Sequence, residues 1–198
     1  MKMNLFCIGI SHRTAPLDLR ERFACPAARQ ASLLTARPGL DEYAILSTCN
    51  RLEIYAVGET AAALALLEEI SGLPVASFAA HLYEHSATAA THLCRVAAGL
   101  ESLVLGEAQI LGQVAAAAET ARQHSTLGPA LSELFRLAVR AGKRARHETA
   151  IGRNPINISS VAVRLAEQAI GDLAKGDLAR AHAVVIGAGE MAELAELA

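Results

Sequence analysis

Short stretches of strand period, longer stretches of helical period, and a late apolar run opening into a glycine turn predict an α+β chain. The expected architecture is a ferredoxin-like split βαβ unit, then helices, then the first strand of a truncated Rossmann domain. The strand signals are residues 5–10, the two halves of 43–57 and the short stretch 82–85. Helical signals fall between the first and second and between the third and fourth. That order, strand, helix, strand, strand, helix, strand, is the order of a split βαβ sandwich.

Residues 5–10 read as a buried first strand, closed by Ser11-His12-Arg13-Thr14-Ala15-Pro16. Leu17, Leu19, Phe23, Leu33 and Leu34 among charges make 17–35 helical, with an interruption near Pro26. In the next segment Tyr43-Ala44-Ile45-Leu46-Ser47 and Leu52-Glu53-Ile54-Tyr55-Ala56-Val57 flank the polar connection Thr48-Cys49-Asn50-Arg51. Thr60 is placed to cap a helix reaching Ile70, which Gly72 and Pro74 stop, and 75–81 add a further helical turn. From residue 87 the period is helical: about 87–100, 107–124 and 129–150. The last of these carries Leu131, Leu134, Phe135, Ala138 and Ala145 as its apolar stripe. Asn154-Pro155 must break it. A fourth helix over about 158–174 is expected to bury Ala162, Leu165, Ala166, Ala169, Ile170 and Leu173.

Composition narrows the classes. Apolar residues make up 53% of the 198, but aromatics only 4% and Trp is absent, so helices are expected to pack closely through small side chains. A net charge of −2 leaves no global field to recruit nucleic acid, and any such contact must use a local patch. Cys7, Cys25, Cys49 and Cys94 show no metal-ligand spacing. The run 5–10 is too short for a signal sequence, and no stretch approaches the roughly 20 apolar residues of a membrane helix. The expectation is a reduced, cytoplasmic protein with free thiols and no metal. Cys7 and Cys94 read as core, Cys25 as exposed, and His12 as either part of a site rim or a turn cap.

Three features carry chemistry. A cysteine on a strand connection is held rigidly yet can meet a substrate, and the adjacent Arg51 would favour its thiolate; the alternative is a small residue packed under a turn. In the stretch 92–113, Ser102, Glu107, Gln109 and Gln113 surround a helix junction and His92 approaches from the preceding helix. They form either a polar pocket or a capped junction with a structural histidine. Finally, Ala183-Val184-Val185-Ile186 reads as a buried parallel strand. It runs into Gly187-Ala188-Gly189-Glu190-Met191-Ala192, a G-x-G-x-x-G/A match in strand-to-helix context. The chain stops eleven residues after Gly187, before any residue that would read a ribose.

With these residues assembled, the sequence resembles the glutamyl-tRNA reductase family over nearly its whole length. The resemblance rests on Gly9-Ile10-Ser11-His12-Arg13-Thr14-Ala15-Pro16, Ser47-Thr48-Cys49-Asn50-Arg51-Leu52-Glu53, the 99–113 stretch and Gly187-Ala188-Gly189-Glu190-Met191. It implies a catalytic domain over 1–154, a connecting helix over 155–181 and the beginning of an NADPH-binding domain over 182–198. Cys49 would attack the ester of glutamyl-tRNA, forming a glutamyl thioester that NADPH reduces to glutamate-1-semialdehyde for tetrapyrrole synthesis. Thr48, Asn50, Arg51, Ser102, Glu107, Ala108, Gln109 and Gln113 match substrate-contacting positions, with Arg51 suited to a carboxylate and Glu107 to an ammonium group. His92 matches a histidine important for activity, by polarising the carbonyl or moving a proton. Residues 187–192 match the cofactor's phosphate turn.

The family also implies a homodimer and admits glutamate-1-semialdehyde aminomutase as a partner. With so little of the cofactor domain, this chain is expected to stop at the thioester. A non-reducing module that binds glutamyl-tRNA or a protein is a competing expectation. A cysteine hydrolase is another, and it requires His92 within hydrogen-bond reach of Cys49. Arg136, Arg140, Lys143, Arg144, Arg146 and Arg153 against the lone acid Glu148 form a basic run, either a solvated face or a track for a phosphate backbone.

Overall fold

The computed structural model describes residues 4–152 together with residues 165, 166, 168 and 169. Four strands, β1 (Leu5–Ser11), β2 (Leu40–Ser47), β3 (Arg51–Gly58) and β4 (Tyr83–His85), form one sheet in the order β2-β3-β1-β4. Every pairing is antiparallel. Helices α1 (Leu17–Arg22) and α2 (Ala27–Leu33) link β1 to β2, and α3 (Thr60–Ser71) with two 3₁₀ turns links β3 to β4. Three helices follow, α4 (Ala89–Ala97), α5 (Gln109–Gln123) and α6 (Pro129–Glu148).

The sheet is covered on both sides, which is why its strands are apolar almost throughout rather than alternating. On one face Phe6, Ile8 and Ile10 of β1 and Leu52, Ile54 and Ala56 of β3 meet Leu66, Leu67 and Ile70 of α3, with Phe23 and Phe78 closing the end. The two phenyl rings meet edge to face, 5.1 Å between centroids. On the other face Cys7, Tyr55 and Val57 meet Leu93 and Val96 of α4, Val114 of α5 and Phe135 of α6. Each such fully buried side chain contributes about 1.5–3 kcal/mol of transfer free energy.

Small residues set the spacing of the helical layer. A Cβ added at Gly142 would stand 2.6 Å from the Ala97 carbonyl oxygen, so α6 and α4 can approach only because that position is bare. The α6 stripe runs through Leu131, Leu134, Phe135, Ala138 and Gly142, while Ala145 is half-buried. The start of α6 is tied to the sheet: Glu42 of β2 accepts from the amides of Ala130 (3.1 Å) and Leu131 (2.7 Å).

Three expectations need correction here. Thr60 is the first residue of α3 and not its cap; Glu59 occupies that position without a side-chain bond, because the start is set by its own amide donating to the Gly39 carbonyl at 2.7 Å. Cys25 is buried at 2% exposure under α2, where Gln30 donates to its carbonyl (2.8 Å). Of the expected fourth helix, Leu165, Ala166 and Ala169 are helical but exposed, since nothing among the described residues covers them. Ala162, Ile170, Leu173, the strand at 183–186 and the glycine turn at 187–192 lie outside the described residues.

Candidate active site

The antiparallel pairing of β2 with β3 lifts Thr48-Cys49-Asn50 off the sheet edge as a tight connection. The Thr48 amide donates to the Arg51 carbonyl (2.9 Å), and the Asn50 amide donates to Thr48 Oγ1 (3.1 Å). Two outside contacts fix it further. The His12 amide donates to the Asn50 carbonyl (2.8 Å), and Arg20 Nη1 donates to the Cys49 carbonyl (3.1 Å) and Asn50 Oδ1 (3.2 Å). Cys49 is thereby exposed on a rigid backbone.

The opposite wall comes from the loop between α4 and α5. Gly99 and Gly106 both hold positive φ, 79° and 82°, and stack so closely that a Cβ on Gly99 would lie 3.0 Å from Gly106 Cα. The Gly106 amide donates to the Gly99 carbonyl (3.0 Å), closing the loop at its base. Arg146 then reaches from α6 and donates to the carbonyls of Gly106 (3.1 Å) and Glu107 (2.8 Å). The result is a narrow cleft, about 10 Å³, lined by Thr48, Cys49, Asn50, Arg51, Ser102, Glu107, Ile110 and Gln113. Gln109 opens α5 and Ala108 precedes it; neither lines this cleft.

Arg51 forms the partition between this cleft and a larger cavity of about 420 Å³. The second cavity is lined by Ser11, Arg13, Tyr83, His85, His92, Arg95 and Glu101 among others. Behind both lies Glu53, with no exposed surface. Its Oε1 accepts from Arg51 Nη1 (2.8 Å), His92 Nε2 (2.9 Å) and the Tyr83 hydroxyl, and its Oε2 accepts from the Tyr55 hydroxyl (2.7 Å). Gly9 makes room for this: it pairs with Glu53 on one side and Tyr83 on the other, and a Cβ there would meet the Leu52 carbonyl at 2.3 Å. Burial alone would raise the Glu53 carboxyl, but the His92 hydrogen bond, the Arg51 and His92 charges and the Tyr83 hydroxyl outweigh it and bring the pKa down to about 2.

This geometry revises two expectations. Arg51 is not the cation of the Cys49 thiolate nor an open carboxylate clamp. Its guanidinium is buried, held by the Glu53 carboxylate and the Glu101 carbonyl. The cation that acts on the thiol is Arg20, which donates to the Cys49 carbonyl, and burial together with the Glu107 charge raises the Cys49 thiol above its ordinary value despite it. His92 does not join Ser102, Glu107 and Gln113. It faces the larger cavity with its Nε2 on Glu53, which removes the base a cysteine hydrolase would need at Cys49. Donor atoms of Cys7, Glu53 and His92 lie within 4.8 Å of one another. Both Glu53 oxygens are already engaged and Arg51 adds a cation beside them, so this is a poor metal site.

The basic run is also redistributed. Arg136 pairs with Glu133, which lies just outside the run, and Arg144 pairs with Glu148. Arg146 is spent on loop carbonyls. Arg136, Arg140, Lys143 and Arg144, joined by Arg122 of α5, rim a groove of about 610 Å³ floored by Ala115, Ala118, Leu127, Phe135 and Val139. Arg153 lies outside the described residues.

Residues 8–149 match the family model described as glutamyl-tRNAGlu reductase, N-terminal domain. The chain belongs to the glutamyl-tRNA reductase family. A glutamyl-tRNA reductase of Syntrophotalea carbinolica is 45% identical over 98% of this chain, and one of Xanthomonas campestris pv. phaseoli is 46% identical over the same share. In each case the chain spans 44% of the relative's length. Among solved structures, the glutamyl-tRNA reductase from Methanopyrus kandleri superposes with a TM-score of 0.65 at 35% identity. That match covers 86% of this chain and 41% of the other. The residues named at the cleft and at the cavity beside it all fall within the matched span 8–149.

Glu53, Arg20 and Arg146 are the site-building residues that periodicity and motif spacing missed. Glu53 sits in strand period as one polar residue among apolar ones, a signal of a buried charge that needs partners. Arg20 and Arg146 carry no local signal, because what they hold lies 29 to 40 positions away.

Proposed function

We propose that this chain carries out the acyl-transfer half of glutamyl-tRNA reduction. The observation that supports it most is the exposed Cys49 on a fixed turn, in one cleft with Thr48, Asn50, Ser102, Glu107 and Gln113, in a chain of this family. The Cys49 thiol, deprotonated on attack, adds to the glutamyl ester carbonyl. A C–S bond forms, the C–O bond to the tRNA ribose breaks, and the ribose oxygen takes a proton. Glu107 is placed to attract the substrate's α-ammonium, while Ser102 and Gln113 offer hydrogen bonds to the glutamyl group. His92, held by Glu53 at the edge of the neighbouring cavity, is assigned to orient or protonate the departing side.

The reading continues with the family's second step. NADPH would supply hydride to the thioester carbonyl, releasing glutamate-1-semialdehyde, for tetrapyrrole synthesis, and the Cys49 thiolate. The residues assigned to the cofactor, Gly187, Ala188, Gly189, Glu190, Met191 and Ala192, lie outside the described residues. Residues 1–154 are assigned as the catalytic domain, 155–181 as a connecting helix and 182–198 as the start of a Rossmann domain. The strand order β2-β3-β1-β4 supports the ferredoxin-like reading of the first. A cytoplasmic homodimer, delivering its aldehyde to glutamate-1-semialdehyde aminomutase, fits the same reading; among the described residues no helix is long and apolar enough to cross a membrane.

Intact-mass spectrometry after exposure to glutamyl-tRNA tests the acyl transfer. A glutamyl adduct on the chain, absent from Cys49→Ser, is the expected result. Absence of any adduct, with tRNA binding retained, would leave the competing reading of a binding module. Adding NADPH tests the second step, read as semialdehyde formation.

A further inference from the structure

The larger cavity holds more than the glutamyl reading uses. At about 420 Å³ it far exceeds the 10 Å³ cleft at Cys49, and the two meet at Arg51. One wall is a stack of planar rings: His85 lies on His92 with centroids 4.2 Å apart at 29°, and Tyr83 packs against both at 5.5 and 5.6 Å. The Thr88 and Thr91 side chains border the rings, and Thr88 Oγ1 sits 3.2 Å from His85 Nδ1. At the mouth, Arg13 and Arg95 are each about half exposed and share the Glu101 carboxylate. With Arg51 and Glu53 included, three guanidinium groups face two carboxylates, leaving one positive charge.

A planar wall, hydroxyls beside it and a cationic mouth suit a nucleoside monophosphate unit better than an amino acid. An ester bond joins the glutamyl group to a ribose. When the carbonyl stands at Cys49, the ribose and its base must lie within a few ångströms, on the leaving-group side. We propose that the cavity between β4, α4 and the β1–α1 connection receives the 3′-terminal nucleoside of the charged RNA, its base added to the His85–His92 stack and its 5′-phosphate on Arg13 and Arg95. The inference rests on the acyl-transfer reading and extends it to the leaving group. Burial and the neighbouring His92 lower the His85 pKa, which keeps its ring neutral and suited to stacking near pH 7.

The test uses the full chain and two acyl donors, glutamyl-tRNA and a small activated ester, glutamyl thiophenyl ester. The rate of adduct formation at Cys49 is read by intact mass. His85→Ala, on β4, and Arg95→Gln, on α4, are each expected to lower the ratio of the tRNA rate to the small-ester rate by about tenfold, the loss of one stacking or phosphate contact. Adenosine 5′-monophosphate should slow the tRNA reaction competitively and shift the amide resonances of Thr88 and Thr91. Equal loss with both donors would mark the residues as structural only and overturn the proposal. So would protection of the cavity by L-glutamate or nicotinamide mononucleotide in preference to adenosine monophosphate. Should the small ester label Cys49 while adenosine monophosphate neither binds nor competes, the cavity assignment fails and the acyl-transfer reading stands. Should neither donor label Cys49, the acyl-transfer reading fails and takes the proposal with it.

Discussion

His92 Nε2 donates across 2.9 Å to Glu53 Oε1, so the histidine expected to serve the cysteine is anchored to a carboxylate with no exposed surface, and not to the thiol. The same oxygen holds Arg51 and Tyr83, so one strand residue orients three side chains around the two cavities.

That hub predicts a pH dependence of stability. The Glu53 carboxyl is depressed from its ordinary 4.5 to about 2 in the folded chain. A depressed carboxyl contributes stability that is full above pH 4.5 and is lost as pH falls from there toward 2. Urea midpoints between pH 7 and pH 2 should fall over that window in the native chain. Glu53→Gln should start about 3–5 kcal/mol lower, because it leaves Arg51 buried without a charge partner, and its midpoint should vary less with pH.

The Cys49 thiol should alkylate late. Burial and the Glu107 charge raise it, and Arg20 only partly offsets them. Rates of iodoacetamide labelling should climb above pH 9. Glu107→Gln should move the midpoint to lower pH and Arg20→Ala to higher pH. A midpoint near 7 that ignores both substitutions would remove this account of the thiol.

Two glycines should behave in opposite ways. Gly142→Val drives a side chain into the Ala97 carbonyl and Leu111, at 2.6 and 2.8 Å from its Cβ. Thermal unfolding should report a loss of roughly 1–3 kcal/mol. Gly112, inside α5, meets nothing within 4 Å, and Gly112→Ala should gain up to about 1 kcal/mol of helix propensity.

Arg146 should matter for the cleft rather than for RNA affinity. Removing its two bonds to the Gly106 and Glu107 carbonyls in Arg146→Ala should cost about 1–3 kcal/mol and slow adduct formation at Cys49. Lysine, with a compact ammonium in place of the fork, should restore only part of this.

The outer face of α6 tests the RNA track separately. Among the described residues, Arg140 and Lys143 form no ion pair, whereas Arg136 and Arg144 have acid partners on the same helix. Charge reversal at Arg140 and Lys143 together should weaken tRNA binding and reduce the slope of log affinity against log salt by roughly one per lost phosphate contact. An unchanged slope would assign the stripe to solvent.

How far the site can be read from residues depends on the range of each interaction. The β2–β3 turn is legible because alternation ends and resumes around Thr48-Cys49-Asn50-Arg51, and the loop wall because Gly99 and Gly106 bracket its polar residues. Arg51 misleads for the same reason that it is conspicuous. It stands two positions from Cys49 in sequence, but Cys49 lies in the turn while Arg51 opens β3, where residues two apart share a face, so its side chain meets Glu53. Cys25 misleads because a preceding-proline position reads as surface, whereas α2 folds over it.

The sequence by itself determined the antiparallel hairpin bearing Cys49, the helices that Gly72 and Pro129 delimit, and the family to which its motifs belong, because periodicity and turn chemistry act over a few residues. Only the tertiary structure decided which charge each polar group meets. It gives Arg51 and His92 to Glu53, Arg13 and Arg95 to Glu101, and Arg146 to the Gly106 loop. Those partners are up to 88 positions apart, and their pairing follows from how the two faces of the sheet are covered. A side chain's period names the face it leaves from, and packing alone names what waits there.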